Sequence, residues 1–160
     1  MSNEYTYFYG TSGKYGCFSQ WYEAQFVGDD GITYRSAEQY MMAQKAILFK
    51  DDKVLSSIMK ATTQKEIRSL GRKISNFNQK SWDKNKSNIV YNGNHLKFSQ
   101  NLELLEVLLS TGDSIIAEAS PTDRIWGIGI TARKGLTKDE WKGENLLGEV
   151  LMDVRKALLD

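Results

Sequence analysis

Two four-residue signatures restrict the fold of this chain more than any other feature: Ser36-Ala37-Glu38-Gln39 and Thr63-Gln64-Lys65-Glu66. Each sets a hydroxyl residue three positions before Gln or Glu. In this capping-box pattern the hydroxyl accepts an amide of the first helical turn, and the later side chain reaches back to the cap. A helix is therefore expected after Ser36, where Ala37, Tyr40, Met41, Gln44, Ile47 and Leu48 keep helical spacing. Asp51-Asp52 stop that helix and cap a short one over residues 54–60, and the second box opens a helix running toward Gly71. Ser81 is expected to cap a further helix. From Trp82 to Ser110 the pattern is helical, but Asn92-Gly93-Asn94 is costly inside a helix and divides it in two. Gly112 reads as a stop, and Leu147, Val150, Leu151, Val154 and Leu158 mark a last helix that begins near Asn145.

The extended part is small. Residues 5–35 are rich in aromatics and glycine, and Ala24 to Val27 and Ile32 to Tyr34 flank the turn formers Gly28-Asp29-Asp30-Gly31, a β-hairpin pattern. Ser114 to Ala119 reads as a short strand, followed by turn and loop through Pro121 to Gly129. A chain of 160 residues with 41% hydrophobic and 26% charged residues has the composition of one globular domain, here 1–160. The expected class is mainly α with a small β component, α+β.

Composition also limits function. Twenty-one Lys and Arg against 20 Asp and Glu leave a net charge of +1, so no global field attracts polyanions, and phosphate recognition has to be local. Cys17, the only cysteine, excludes an intrachain disulfide and a multi-cysteine metal site, and points to a reducing compartment. No apolar run nears the roughly 20 residues needed to span a bilayer, and residues 1–9 lack a signal-peptide pattern. Cytoplasm is the expected location. His95, the sole histidine, has no companion at metal or triad spacing, so no metal site is expected.

Several residues could carry chemistry. Glu38 and Lys45, seven positions apart, project from one helix face, two turns apart; equally, Glu38 could complement the helix dipole while Lys45 is solvated. Glu118 and Asp123 bracket a loop that leads to Trp126 and Gly127, although Asp123 could cap a turn and Glu118 pair with a surface lysine. Arg72, behind Gly71, suits a helix C-terminus and could also hold phosphate. Gly127 and Gly129 form only a GxG fragment, which is no dinucleotide fingerprint.

Taken in order, five segments resemble the YbiA-like, or NADAR, family: Cys17-Phe18-Ser19-Gln20-Trp21; Tyr34 to Tyr40 with Lys45; Leu70-Gly71-Arg72-Lys73; Lys97-Phe98 with Gln100-Asn101; and a C-terminal block. The block comprises Leu109 to Asp113, Glu118 to Gly129, Trp141 to Gly148 and Leu151 to Arg155, and is the most specific part. Where the family usually has Ser-Asn-Phe, this chain has Ser19-Gln20-Trp21.

The resemblance implies a single YbiA-like domain and N-glycosidase activity on a phosphorylated ribosyl substrate, without a metal or redox cofactor. Two substrate classes come with it: ribosylamino-pyrimidine intermediates of riboflavin synthesis, and ADP-ribose attached to a base such as guanine, free or within nucleic acid. It implies neither a membrane nor an obligate protein partner. Residue matching makes Glu38 the first catalytic candidate and Asp123 the second. Ser19, Gln20, Lys45, Arg72, Trp82, Lys97, Glu118, Trp126, Gly127 and Asn145 are the candidate substrate-binding positions. A non-catalytic reader of ADP-ribose or nucleotides would use the same pocket without a well-placed carboxylate, and a purely structural module would ignore nucleotides altogether.

Overall fold

The computed structural model describes residues 4–159. Among them the order is β1 (Tyr5–Phe8), β2 (Phe26–Val27), β3 (Thr33–Tyr34), α1 (Ala37–Leu48), α2 (Asp52–Lys60), α3 (Gln64–Gly71), α4 (Gln79–Gln100), α5 (Leu102–Ser110), β4 (Ile115–Glu118) and α6 (Leu146–Leu158). The class is α+β, with helices dominant. The chain packs as two compact units, residues 23–100 and the flanking residues 4–22 with 101–159.

In the first unit, α1 packs on α2, α3 and α4. The capping signals work as expected: Ser36 Oγ accepts from the Gln39 amide at 3.0 Å, Asp51 from that of Val54 at 3.0 Å, and Thr63 Oγ1 from that of Glu66 at 3.1 Å. The Gln39 side chain reaches past its cap, accepting from the Arg35 amide at 2.8 Å and donating to the Ile58 carbonyl at 3.2 Å, so it ties α1 to α2. The hairpin forms over a shorter span than expected: Phe26 pairs with Tyr34 and Val27 with Thr33, antiparallel. The Gln100 amide holds its edge by bonding both the N–H and C=O of Val27 at 2.8 Å.

Two sequence expectations about α4 are corrected. Its first turn is capped by Asn78, whose Oδ1 accepts from the Ser81 amide at 2.9 Å, rather than by Ser81. The helix also runs unbroken through Asn92-Gly93-Asn94. A Cβ on Gly93 would lie 2.7 Å from the Tyr40 ring, so the glycine lets α4 approach α1, and this close packing outweighs its poor helix propensity. Asn94 is fully buried and donates to the Val90 carbonyl one turn back at 2.9 Å.

The second unit is built on β1 and β4, which pair in parallel from Tyr5↔Ile115 to Phe8↔Glu118. α6 packs on β4 and on α5. Ala117, Ala119, Ile128 and Leu136 form a buried cluster, against which Tyr7, Ile130 and Trp141 pack. No helix among the described residues is long and apolar enough to cross a membrane.

Candidate functional site

Within residues 23–100, α1 sets Glu38 in its first turn and Lys45 in its last. An acid that served only the helix dipole would sit in water, but Glu38 is 5% exposed. The Lys45 ammonium is half-buried, 4.8 Å from the centroid of the Phe77 ring and 5.3 Å from that of Trp82, and it donates to the Gly71 carbonyl at 3.4 Å. Burial lowers the Lys45 pKa, and the Glu38 charge opposes that shift. An acid and a cation thus sense each other along one buried helix face. Trp82, 8% exposed in the first turn of α4, closes that face.

The other candidates in this unit sit differently. Lys97 is completely buried near the end of α4, with its ammonium 5.1 Å from the Phe98 ring centroid. Arg72 is exposed directly after α3, and among the described residues it enters no ion pair. Its backbone N–H donates to the Leu70 and Ser69 carbonyls, so that donor is already engaged. Phe77 escaped the sequence reading. It is 42% exposed between Lys45 and Phe49, whose ring lies 5.2 Å away. The available signal was an aromatic residue in the polar run Ser75-Asn76-Phe77-Asn78, with Asn76 at φ 59°.

In the other unit, β4 delivers the part-buried Glu118 at its C-terminal end. Asn145 fixes that end: its amide donates to the Ile116 carbonyl at 3.0 Å and accepts from the Glu118 amide at 3.1 Å. Asn145 is 1% exposed, and both ends of its side chain are engaged by β4 backbone. Burial, reinforced by the negative charge of Asp123, pushes the Glu118 carboxyl up from 4.5 to about 7. A carboxyl at that value can hold or release a proton near neutrality.

Asp123 does cap a turn. Its Oδ1 accepts from the amides of Ile125 and Trp126 at 2.9 and 2.8 Å. Trp126 is left half-exposed behind this turn. Gly127 is buried, and a Cβ there would lie 2.9 Å from the carbonyl oxygens of both Asp123 and Glu118. Its lack of a side chain thus lets the loop close on itself. Ser19 and Gln20 are buried after a single 3₁₀ turn, with Ser19 Oγ accepting from the Trp21 amide at 3.2 Å. The structure therefore brings together Glu38, Lys45 and Trp82 in one unit and Glu118, Asp123, Gly127 and Asn145 in the other.

Residues 7–159 match the model of the NADAR domain family. An N-glycosidase of Acanthamoeba polyphaga mimivirus is 46% identical over 97% of this chain and 96% of its own length. The N-glycosidase YbiA of Escherichia coli is 32% identical over 94% of this chain and 86% of its own. The NMR structure of E. coli YbiA superposes with a TM-score of 0.81, at 31% identity, over 99% of this chain and 87% of that one. The chain belongs to the NADAR domain family and is a hydrolase acting on N-glycosyl compounds.

Proposed function

We propose that the chain, acting as a single NADAR domain in the cytoplasm, hydrolyses the bond between ribose and nitrogen in a phosphorylated ribosyl compound. The compound is a ribosylamino-pyrimidine intermediate of riboflavin synthesis or ADP-ribose on a base such as guanine. The observation that carries this reading is the burial of Glu38 on the helix face that also holds Lys45. Breaking the C1′–N bond leaves positive charge on the sugar. A carboxylate withheld from bulk water stabilises that charge far more than a solvated one does. Water then bonds to C1′ and gives up one proton, and the departing nitrogen keeps the bonding electron pair and takes up a proton, so the step balances.

Glu38 is the group we assign to the developing charge or to orienting the water, with Asp123 second because one of its oxygens already serves two amides. Lys45 and Arg72 are assigned to phosphate, Arg72 with a two-pronged grip. Trp82 shapes the Lys45 face, and the exposed Phe77 ring and the half-exposed Trp126 ring are surfaces on which a base can stack. Glu118, protonated below about pH 7, is suited to supply the proton taken by the nitrogen, with Asn145 as its positioning residue. Ser19, Gln20, Lys97 and Gly127 keep supporting roles in substrate binding.

Hydrolysis in heavy-oxygen water tests the reaction class. Mass spectrometry should find the label on the ribose at its anomeric carbon, and label in phosphate would overturn the assignment. Substrate choice follows from parallel assays with the two compound classes.

A further inference from the structure

A cleft among residues 23–100 lies between the end of α2 and α3 and has a volume of about 510 Å³. That is the scale of a small-molecule site. Lys60 at the end of α2, Lys65 on α3 and Lys73 just beyond it all line the cleft, together with the hydroxyls of Thr63 and Ser69. Ala61 and Leu70 supply its apolar part. Glu66 is the one acid in the lining, and its carboxylate already accepts from the Thr63 hydroxyl at 3.0 Å within the capping box. Among the described residues none of the three lysines forms a salt bridge.

The surrounding sequence makes this concentration of charge unusual for the chain. Between residues 60 and 86, eight Lys and Arg face only Glu66 and Asp83, although the whole protein has a net charge of +1. The local field that the overall charge balance hides is therefore centred on α3 and its flanks. Three ammonium groups against one carboxylate leave the cleft two positive charges in excess. Lysines on flexible stems suit anionic oxygens whose positions are not fixed in one plane.

We infer that this cleft binds a pair of phosphate groups, supplied either by a diphosphate linkage or by two successive phosphodiesters of a nucleic acid strand. The last turn of α3 connects it to the Lys45 face: Leu70 lines the cleft, and the next residue, Gly71, accepts the Lys45 ammonium. A phosphorylated substrate can thus be held by charges outside the reacting groups. That use rests on the function proposed above, whereas the binding itself does not.

The experiment requires no turnover. The ¹⁵N-labelled full chain is titrated at low salt with inorganic pyrophosphate and, separately, with a short single-stranded DNA, while amide shifts are followed. Thr63, Lys65, Ser69 and Lys73 should shift. The combined variant Lys60→Gln, Lys65→Gln, Lys73→Gln should bind at least about tenfold more weakly while its unfolding midpoint stays near the parent's, because these side chains are exposed. Pyrophosphate binding as tight as DNA binding identifies the diphosphate source. Tighter DNA binding, weakening with salt at a log–log slope of about −1.4 for two contacts on a single strand, identifies the strand. Absence of α3 shifts with both probes, or parent-like binding by the variant, overturns the inference. If the parent hydrolyses no ribosyl compound yet the titration succeeds, only the proposed function fails.

Discussion

The Glu38 helix face and the Glu118 loop treat a buried acid in opposite ways. On α1 the acid shares its face with an ammonium group, and its charge opposes the lowering of the Lys45 pKa by burial. At the end of β4, Glu118 has a second carboxylate as its neighbour, so burial and Asp123 both drive it toward the neutral form. One arrangement sets unlike charges side by side, and the other favours a retained proton. The difference lies in the neighbour each acid is given, an ammonium group for Glu38 and a carboxylate for Glu118.

The strongest way to break this contrast is to neutralise the charged member. Glu38→Gln keeps size and hydrogen bonding, so ligand affinity should stay within about threefold while hydrolysis falls by roughly 10³-fold. Single-turnover rates and calorimetry on the same preparation measure the two effects. Turnover near the parent rate would remove Glu38 from the reaction.

Next in size is the effect of Glu118→Gln on stability. Below pH 4.5 this carboxyl is protonated in both the folded and the unfolded chain; between 4.5 and about 7 the unfolded chain releases the proton while the folded one retains it. Native stability therefore declines as pH rises through that window. The amide variant escapes this loss and should be more stable than the parent at pH 8, by about 2 kcal/mol once partial exposure is discounted, with little gain at pH 4. Urea unfolding at both pH values checks this, and an equal difference at both would contradict a proton-holding Glu118.

The smallest expected effect separates the two cations. Lys45→Ala and Arg72→Ala should each weaken phosphorylated ligand by about tenfold, as loss of one charge-assisted contact implies, and leave the dephosphorylated analogue nearly unchanged. Arg72 is exposed, so its variant should keep the parent's thermal midpoint, whereas Lys45→Ala should lower it by removing a packed stem. Equal losses on both analogues would exclude phosphate anchoring.

The two regions also differ in how far the amino-acid sequence reveals them. The helix face is announced by Ser36 and its capping partner, because capping acts over three or four residues and needs no distant contact. Even there, the interruption expected at Gly93 does not occur, since Tyr40, more than fifty residues earlier, occupies the space above it. Phe77 went unnoticed for the same reason: its place beside Lys45 depends on the packing of α4 against α1. In the loop, the turn-forming role of Asp123 follows from local spacing, but the state of Glu118 depends on its burial and on Asn145 clamping β4 from 27 residues away. Residue resemblance supplied the candidate list, and tertiary contacts decide which chemistry each member can perform.

The parallel pairing of Tyr5–Phe8 with Ile115–Glu118 also sets a schedule for synthesis. Residues 23–100 leave the ribosome as one uninterrupted stretch with all their mutual partners present. The first strand, made earlier, waits for its mate through more than a hundred further residues, about 5–20 s at a roughly typical elongation rate. During that interval its backbone donors and acceptors are unclaimed and open to the same strand of a neighbouring nascent chain. With only four residues to offer, such an encounter is too brief to persist, so a short strand serves a protein in which one strand is made long before its partner.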